Sequence, residues 1–225
     1  MQLHDGPNFD HRWRNSDAMK CALVLLSGGL DSAAALAWGH QNFSEVRAIT
    51  FQYHLRPFRE RLAVFRLLQH FPSSLLEIPL SFLKETVDFD RSFAEKVPQG
   101  YLSNRNMIFY SIAAHFAEMQ HCDVLIGGHT AEDRDAFPDA GPAFLKRLEN
   151  LINEAMQMKN ICIELPLSQY SKLQVLEKAQ EWKVPLDCTW SCYWDKSLPC
   201  GECVSCLERA DAFRQLGIED PLCTT

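Results

Sequence analysis

Residues Ala22 to Trp38 read ALVLLSGGLDSAAALAW. Ala22, Leu23, Val24 and Leu25 are apolar without alternation, as a short strand buried on both faces requires. Ser27-Gly28-Gly29-Leu30-Asp31-Ser32 then makes a tight turn, and Ala33 to Trp38 is strong helix-forming sequence. A glycine pair between strand and helix lets the backbone come close to a ligand and lets N–H groups converge on one point. The helix N-terminus adds partial positive charge, so the junction suits phosphate. No Gly-Lys-Ser/Thr follows, so it is not of the Walker type. The bland alternative is a plain strand–turn–helix with Asp31 or Ser32 as the N-cap.

Around this stretch, 225 residues suit one α/β domain with a small appendage, and 47% hydrophobic residues can build a sizeable core. No apolar run is long enough to cross a bilayer. The first twenty residues hold His4, His11, Trp13 and Arg14 without periodicity or an apolar run, and read as an arm rather than a signal peptide. A net charge of −7 argues against broad nucleic-acid binding, though not against a local basic groove. Nine cysteines without an export sequence point to a reducing, cytoplasmic setting, where clustered thiolates bind metal rather than pair.

Further along, Val46 to Phe51 and Leu75 to Leu80 read as strands, and Arg56 to His70 has helical spacing through Leu62, Phe65, Leu67 and Leu68. Ser81 to Gly100 has no clear period and reads as an insertion or lid. Asn104 to Gln120 predicts a helix with Met107, Ile108, Ile112, Ala113, Phe116 and Met119 on one face. Asp123 to Ile126 is a strand running into Gly127-Gly128, and from there to Pro142 the chain is loop-like. Ala143 to Met158 is helical, Ile161 to Leu165 a strand, and Ser171 to Trp182 a helix capped by Ser171. Strands alternating with helices imply a doubly wound parallel sheet with its ligands at the carboxyl ends of the strands. The expected division is an arm over 1–20, a nucleotide-binding domain over 21–186 and a cysteine-bearing segment over 187–225.

That last segment carries Cys192, Cys200, Cys203 and Cys206 in SCYWDKSLPCGECVSC. Two overlapping Cys-x-x-Cys steps with a fourth Cys upstream fit a closed, structural zinc site. Four thiolates also suit an iron–sulfur cluster, and buried free thiols are the third reading. Cys188 is a nearby thiol suited to packing. Cys21, Cys122, Cys162 and Cys223 lack metal spacing and read as core or surface cysteines.

Ser-Gly-Gly-x-Asp-Ser resembles the signature of the PP-loop ATP pyrophosphatases. Together with the terminal cysteines, the chain from Cys21 to about Gly217 resembles the QueC family, the 7-cyano-7-deazaguanine synthases. The matching pieces are the Ser27 loop, Tyr53 with Arg56 and Glu60, Arg105-Asn106, Asp133 with Phe137-Pro138-Asp139, Lys172, and Ser191-Cys192-Tyr193 to Arg209. The resemblance implies an adenine nucleotide alpha hydrolase-like fold that uses ATP to adenylate the carboxylate of 7-carboxy-7-deazaguanine. Ammonia then gives an amide, and a second ATP dehydrates the amide to the nitrile. It further implies that Ser27, Gly28, Gly29, Leu30, Asp31, Ser32 and Arg56 hold ATP, and that Asp31, Arg105, Asp133 and Lys172 serve the chemistry. Asp31 or Asp133 would help hold Mg²⁺, and relatives of this kind imply a homodimer.

Departures from the family pattern accompany the matches. Pro57 stands where the family has His, and Leu55 where it has Gln. Ser103-Asn104 replaces Pro-Gly, Arg134-Asp135 replaces an aromatic and small pair, and Gly141 and Ala143 replace Arg and Glu. On the premise that these positions surround the substrate pocket, the expected activity stops at the amide. The acceptor would then be a protein amine, as in the QueC-like paralogues of type IV CBASS antiphage systems. The ordinary nitrile-forming synthase is the alternative. A tRNA-modifying PP-loop enzyme, which would need a basic face, and a non-catalytic scaffold are further ones.

Overall fold

The strand Cys21–Leu25 (β1) lies at the centre of a five-stranded parallel sheet. The computed structural model describes residues 21–54, 56–83, 101–157 and 160–223. Beside β1 run Glu45–Tyr53 (β2), Ser74–Leu80 (β3), Val124–Ile126 (β4) and Cys162–Glu164 (β5), in the order β3-β2-β1-β4-β5. All four pairings are parallel, with Val24 opposite Ala48 on one side and Ile126 on the other. The chain winds out from β1 to β3, crosses back, and winds out again through β4 to β5. This reversal opens a crevice between the carboxyl ends of β1 and β4, where doubly wound sheets bind ligands.

Between the strands lie the helices Leu30–Asn42 (α1), Phe58–His70 (α2), Arg105–Met119 (α3), Ala131–Ala136 (α4) and Pro142–Ala155 (α5). Lys172–Glu181 (α6) and Val204–Leu216 (α7) complete the set, with a short 3-10 turn at Leu186–Cys188. The pleat of β1 sends Ala22 and Val24 into one core cluster and Cys21 and Leu23 into another. The first cluster holds the alanines of α1 with Leu176 of α6 and Phe213 of α7. The second is built on Tyr110 and Ala113 of α3 and Leu145 of α5. Small residues at positions 33–35 and 37 bring α1 close against the sheet, so the start of α1 is held rigidly over the crevice.

Several expectations are corrected. The stretch from Gly127 to Pro142 is not loop throughout, because Thr130 and Asp133 form a capping box that starts α4. Phe65 is exposed and lies under the Arg61 guanidinium, while Ala63, Val64 and Leu67 form the buried face of α2. Met107 and Met119 are exposed too; α3 buries Asn106, Tyr110, Ala113, Ala114 and Ala117, one step round from the expected face. Its small residues pack against the sheet, and its large apolar ones flank them. Cys21 and Cys122 form a disulfide, with Cα atoms 4.4 Å apart at the start of β1 and just before β4. The parallel pairing of those strands brings together two cysteines read as unpaired. The arm 1–20, Leu55 and most of the insertion (84–100) lie outside the described residues.

Candidate active site

A cleft of about 290 Å³ opens over the carboxyl ends of β1, β2 and β4. Of the expected site residues, Ser27, Gly29, Leu30, Asp31, Ser32, Arg56, Arg105, Asp133 and Lys172 all line it. Gly28 is buried and does not line it.

The Ser27 loop is held by its own hydroxyls. Ser32 Oγ accepts from the N–H groups of Ser27 (3.2 Å) and Gly28 (3.1 Å) and donates to Gly29 O (3.0 Å). Ser27 Oγ accepts from Gly29 N at 3.2 Å. These three loop N–H groups, expected to face phosphate, are therefore satisfied within the loop. The helix offers others. Gly29 caps α1 without a side-chain hydrogen bond, so the first-turn N–H groups of Leu30, Asp31 and Ser32 have no acceptor inside the helix. Gly28 sits at φ +103°, and a Cβ there would lie 2.3 Å from Glu60 O. At Gly128 a Cβ would lie 2.9 Å from the backbone of Asp31 and Ser32, so only glycine lets the end of β4 close on the start of α1.

Lys172, at the start of α6, donates to Asp31 Oδ2 at 2.5 Å, while Asp31 Oδ1 is buried without a partner. Burial raises the pKa of Asp31 against the pull of the Lys172 ammonium. Burial disfavours the charged Lys172 as well, but the Asp31 carboxylate outweighs it and holds the ammonium pKa above its usual range. Asp133 Oδ2 accepts from the N–H (2.9 Å) and Oγ1 (3.1 Å) of Thr130, which orients the start of α4.

Arg56 is placed differently from expectation. Its guanidinium donates to Thr50 Oγ1 (2.9 Å), Phe51 O (2.6 Å), Glu60 Oε2 (3.3 Å) and Ser27 O, and its side chain is 3% exposed. It ties the Ser27 loop to β2 and α2, and its donors point at protein rather than into the cleft.

On the far side, Asn106 donates through N and Nδ2 to Asp139 (3.0 and 3.2 Å), joining the start of α3 to the segment that follows α4. Arg105 lies over the Phe137 ring at 5.8 Å, and Phe51 stacks on Phe109 at 4.3 Å. An aromatic slot beside a guanidinium that makes no ion pair among the described residues suits a flat heterocycle bearing an anion. Tyr193, from the matched Ser191-Cys192-Tyr193, also lines the cleft, as do His129, Tyr110, Trp190 and Glu208, which the sequence reading does not name. For His129 a signal existed, since it follows the glycine pair at the carboxyl end of β4.

Cys192, Cys200, Cys203 and Cys206 bring their sulfurs within 4.8 Å of one another and could hold a metal ion. Backbone N–H groups of Trp194 and Cys200 donate to Cys192 Sγ (3.3 and 3.4 Å), and those of Glu202 and Cys203 to Cys200 Sγ (3.4 and 3.3 Å). The donor set suits thiolates bound to a metal. Next to it, Trp190 N donates to Gly28 O at 2.9 Å, so the cysteine segment braces the Ser27 loop.

A model of the family described as queuosine biosynthesis protein QueC matches residues 21–217. The chain belongs to the QueC family. It is 31% identical over 224 residues to a 7-cyano-7-deazaguanine synthase of Methanosarcina mazei, covering 89% of this chain and 96% of that one. A 7-cyano-7-deazaguanine synthase of Thermoplasma acidophilum is 35% identical over 218 residues, covering 90% and 91%. Among solved structures, a 4-thiouridine synthetase–RNA complex with bound ATP matches with a TM-score of 0.54 at 19% identity, over 81% of this chain and 45% of that one. A predicted tRNA methyltransferase subunit from Methanocaldococcus jannaschii gives 0.52 at 20%, over 72% and 76%. These two support the fold alone. Among the described residues no helix is long and apolar enough to cross a membrane.

The positions at which this QueC chain departs from the family pattern lie mostly away from the cleft. Pro57 lines it. Gly141 is the N-cap of α5, Ala143 is exposed on its first turn, and Arg134 and Asp135 pair with each other at the surface at 2.9 Å. Ser103 and Asn104 precede α3 outside the cleft, and Leu55 lies outside the described residues. The premise that the departures surround the pocket is therefore corrected. The relatives described above, moreover, are named 7-cyano-7-deazaguanine synthases, which is the alternative reading.

Proposed function

We propose that this chain is a 7-cyano-7-deazaguanine synthase, an ATP-dependent C–N-forming enzyme that converts 7-carboxy-7-deazaguanine and ammonia to the nitrile. The observation that carries the reading is the content of the cleft. His129, Asp133, Lys172, Tyr193 and Glu208 all line it, while most departures from the family pattern lie outside. Dehydrating an amide needs positioned acid–base groups, and this cleft is rich in them. Transfer to a protein amine is accordingly not retained.

In this reading the substrate carboxylate attacks the α-phosphorus of ATP and pyrophosphate leaves. Ammonia displaces AMP to give the amide, whose oxygen attacks a second ATP before AMP departs and the nitrile forms. The first-turn N–H groups of α1 and the Lys172 ammonium take up charge on the departing pyrophosphate. Arg105 meets the substrate carboxylate above the Phe137 ring. The unpartnered Asp31 Oδ1, with Asp133 nearby, fits Mg²⁺, which would neutralise phosphate charge. Zinc fits the four cysteines as a closed structural site that steadies the Ser27 loop through Trp190. A cytoplasmic homodimer is the setting that the resemblance implies.

The test is exchange of labelled pyrophosphate into ATP. Exchange should require 7-carboxy-7-deazaguanine and should fail with 7-deazaguanine, which lacks the carboxylate. Exchange indifferent to that acid would remove the substrate assignment.

A further inference from the structure

We propose that His129 accepts the nitrogen protons lost as the amide becomes the nitrile, a role that rests on the synthase reading above. His129 is the one histidine lining the cleft among the described residues. It stands at the carboxyl end of β4, just past Gly127-Gly128, with its ring stacked on Tyr110 at a centroid distance of 5.8 Å. Among the described residues no hydrogen bond engages either ring nitrogen. The other bases of the cleft each have an oxygen engaged, Asp31 Oδ2 by Lys172, Glu60 Oε2 by Arg56 and Asp133 Oδ2 by the cap of α4, and the synthase reading gives the unpartnered Asp31 Oδ1 to Mg²⁺.

Glu208 is the remaining carboxylate, but its strongest charged neighbours are Lys172, Asp133 and Asp31, which puts it on the phosphate side. The charged groups facing His129 are Asp133 from α4, Arg105 from α3 and Asp139 from the following loop. Of these, Arg105 borders the slot assigned to the heterocycle and Asp139 holds Asn106 beside it, whereas Asp133 also faces Asp31 and Glu208. Burial lowers the imidazole pKa, with Arg105 adding to burial and the two carboxylates opposing it, so the ring is neutral and able to accept at neutral pH. Burial also keeps the Tyr110 phenol protonated beneath the ring.

The amide oxygen bonds to the α-phosphorus of ATP, the bond from that phosphorus to the bridging oxygen breaks, and pyrophosphate leaves. One N–H proton passes to His129, giving an O-adenylyl imidate. After His129 releases that proton to solvent, it takes the second N–H proton. The N–H electron pair forms the third C–N bond as the C–O bond breaks, and AMP leaves with the oxygen.

The experiment supplies 7-carboxamido-7-deazaguanine, ATP and Mg²⁺ to wild type, His129→Gln, His129→Asn and Glu208→Gln, and reads nitrile formation. Pyrophosphate exchange driven by the carboxylic acid is measured in parallel. Removing a general base should slow nitrile formation by about a hundredfold or more. The two His129 variants should show this while exchange on the acid falls less than threefold. Wild-type nitrile formation should decline with acidification, and the residual His129→Gln rate should stay flat. Nitrile formation by His129→Gln within threefold of wild type would overturn the assignment. So would equal loss of both reactions in both His129 variants, or selective loss in Glu208→Gln alone. If wild type exchanges pyrophosphate on the acid but makes no nitrile from the amide, the synthase reading itself fails and this proposal with it.

Discussion

Lys172 Nζ lies 2.5 Å from Asp31 Oδ2, joining the first turn of α1 to the start of α6 across 141 residues. The pair is half-buried, its side chains 18% and 25% exposed, so removing one partner should cost about 1–3 kcal/mol rather than the larger penalty of a fully buried pair. Lys172→Met should therefore lower the melting temperature and also cut ATP turnover at least about tenfold, equivalent to roughly 1.4 kcal/mol of transition-state stabilisation. Thermal melts and AMP release check both. An unchanged melt would show that the pair does not hold α6 to α1.

Gly28 and Gly217 both take positive φ, but their surroundings differ. A Cβ at Gly28 would meet Glu60 O at 2.3 Å, whereas Gly217 has open space around it. Gly217→Ala should cost only the backbone strain, about 1–2 kcal/mol. Gly28→Ala must also displace the backbone carbonyl of α2, and with it the Arg56 anchor, so it should abolish ATP turnover. Comparable activity in the two variants would contradict this.

These contacts set what could be read from sequence. The order of strands and helices followed from apolar periodicity, and the Ser27 loop and the cysteine tetrad were local patterns. Arg56 was visible as a motif residue, yet its role was not, because the acceptors at Thr50, Phe51 and Ser27 appear only when β1 and β2 are side by side. Met107 and Phe65 misled for a related reason: helical periodicity marks apolar stripes, but small residues decide which stripe packs against a sheet. The Cys21–Cys122 pair depended on the adjacency of β1 and β4, which no spacing encodes. Gly141 and Ala143 looked like pocket changes until α5 carried them away from the cleft.

Replacing Cys203 by Ser should remove the metal and, through the Trp190 N–H on Gly28 O, weaken ATP turnover as well. Structural zinc contributes folding free energy on the order of 10 kcal/mol. Elemental analysis should find one zinc per chain in the wild-type protein, and chelation should lower its melting temperature. Iron, or a stable metal-free protein, would contradict the zinc assignment.

Arg61 grips Glu77 with two hydrogen bonds of 2.7 Å, and Gln52 adds a third at 3.0 Å, tying α2 to β3 and β2. The Arg61 hydrogen bonds, aided by Gln52, hold the Glu77 pKa below the usual carboxylate range. Its stabilising contribution is complete above the unfolded-state pKa and is lost as pH falls through the lower folded-state value. Glu77→Gln should therefore unfold with a shallower dependence on acid than wild type. Parallel denaturation midpoints across that interval would show that the pair contributes nothing.

The most direct test of the synthase account is the product. Wild-type protein incubated with ATP, Mg²⁺, 7-carboxy-7-deazaguanine and nitrogen-15 ammonium should yield 7-cyano-7-deazaguanine carrying the label in its nitrile by mass spectrometry, with two AMP released for each nitrile. Accumulation of the labelled amide with one AMP released and no nitrile would contradict it.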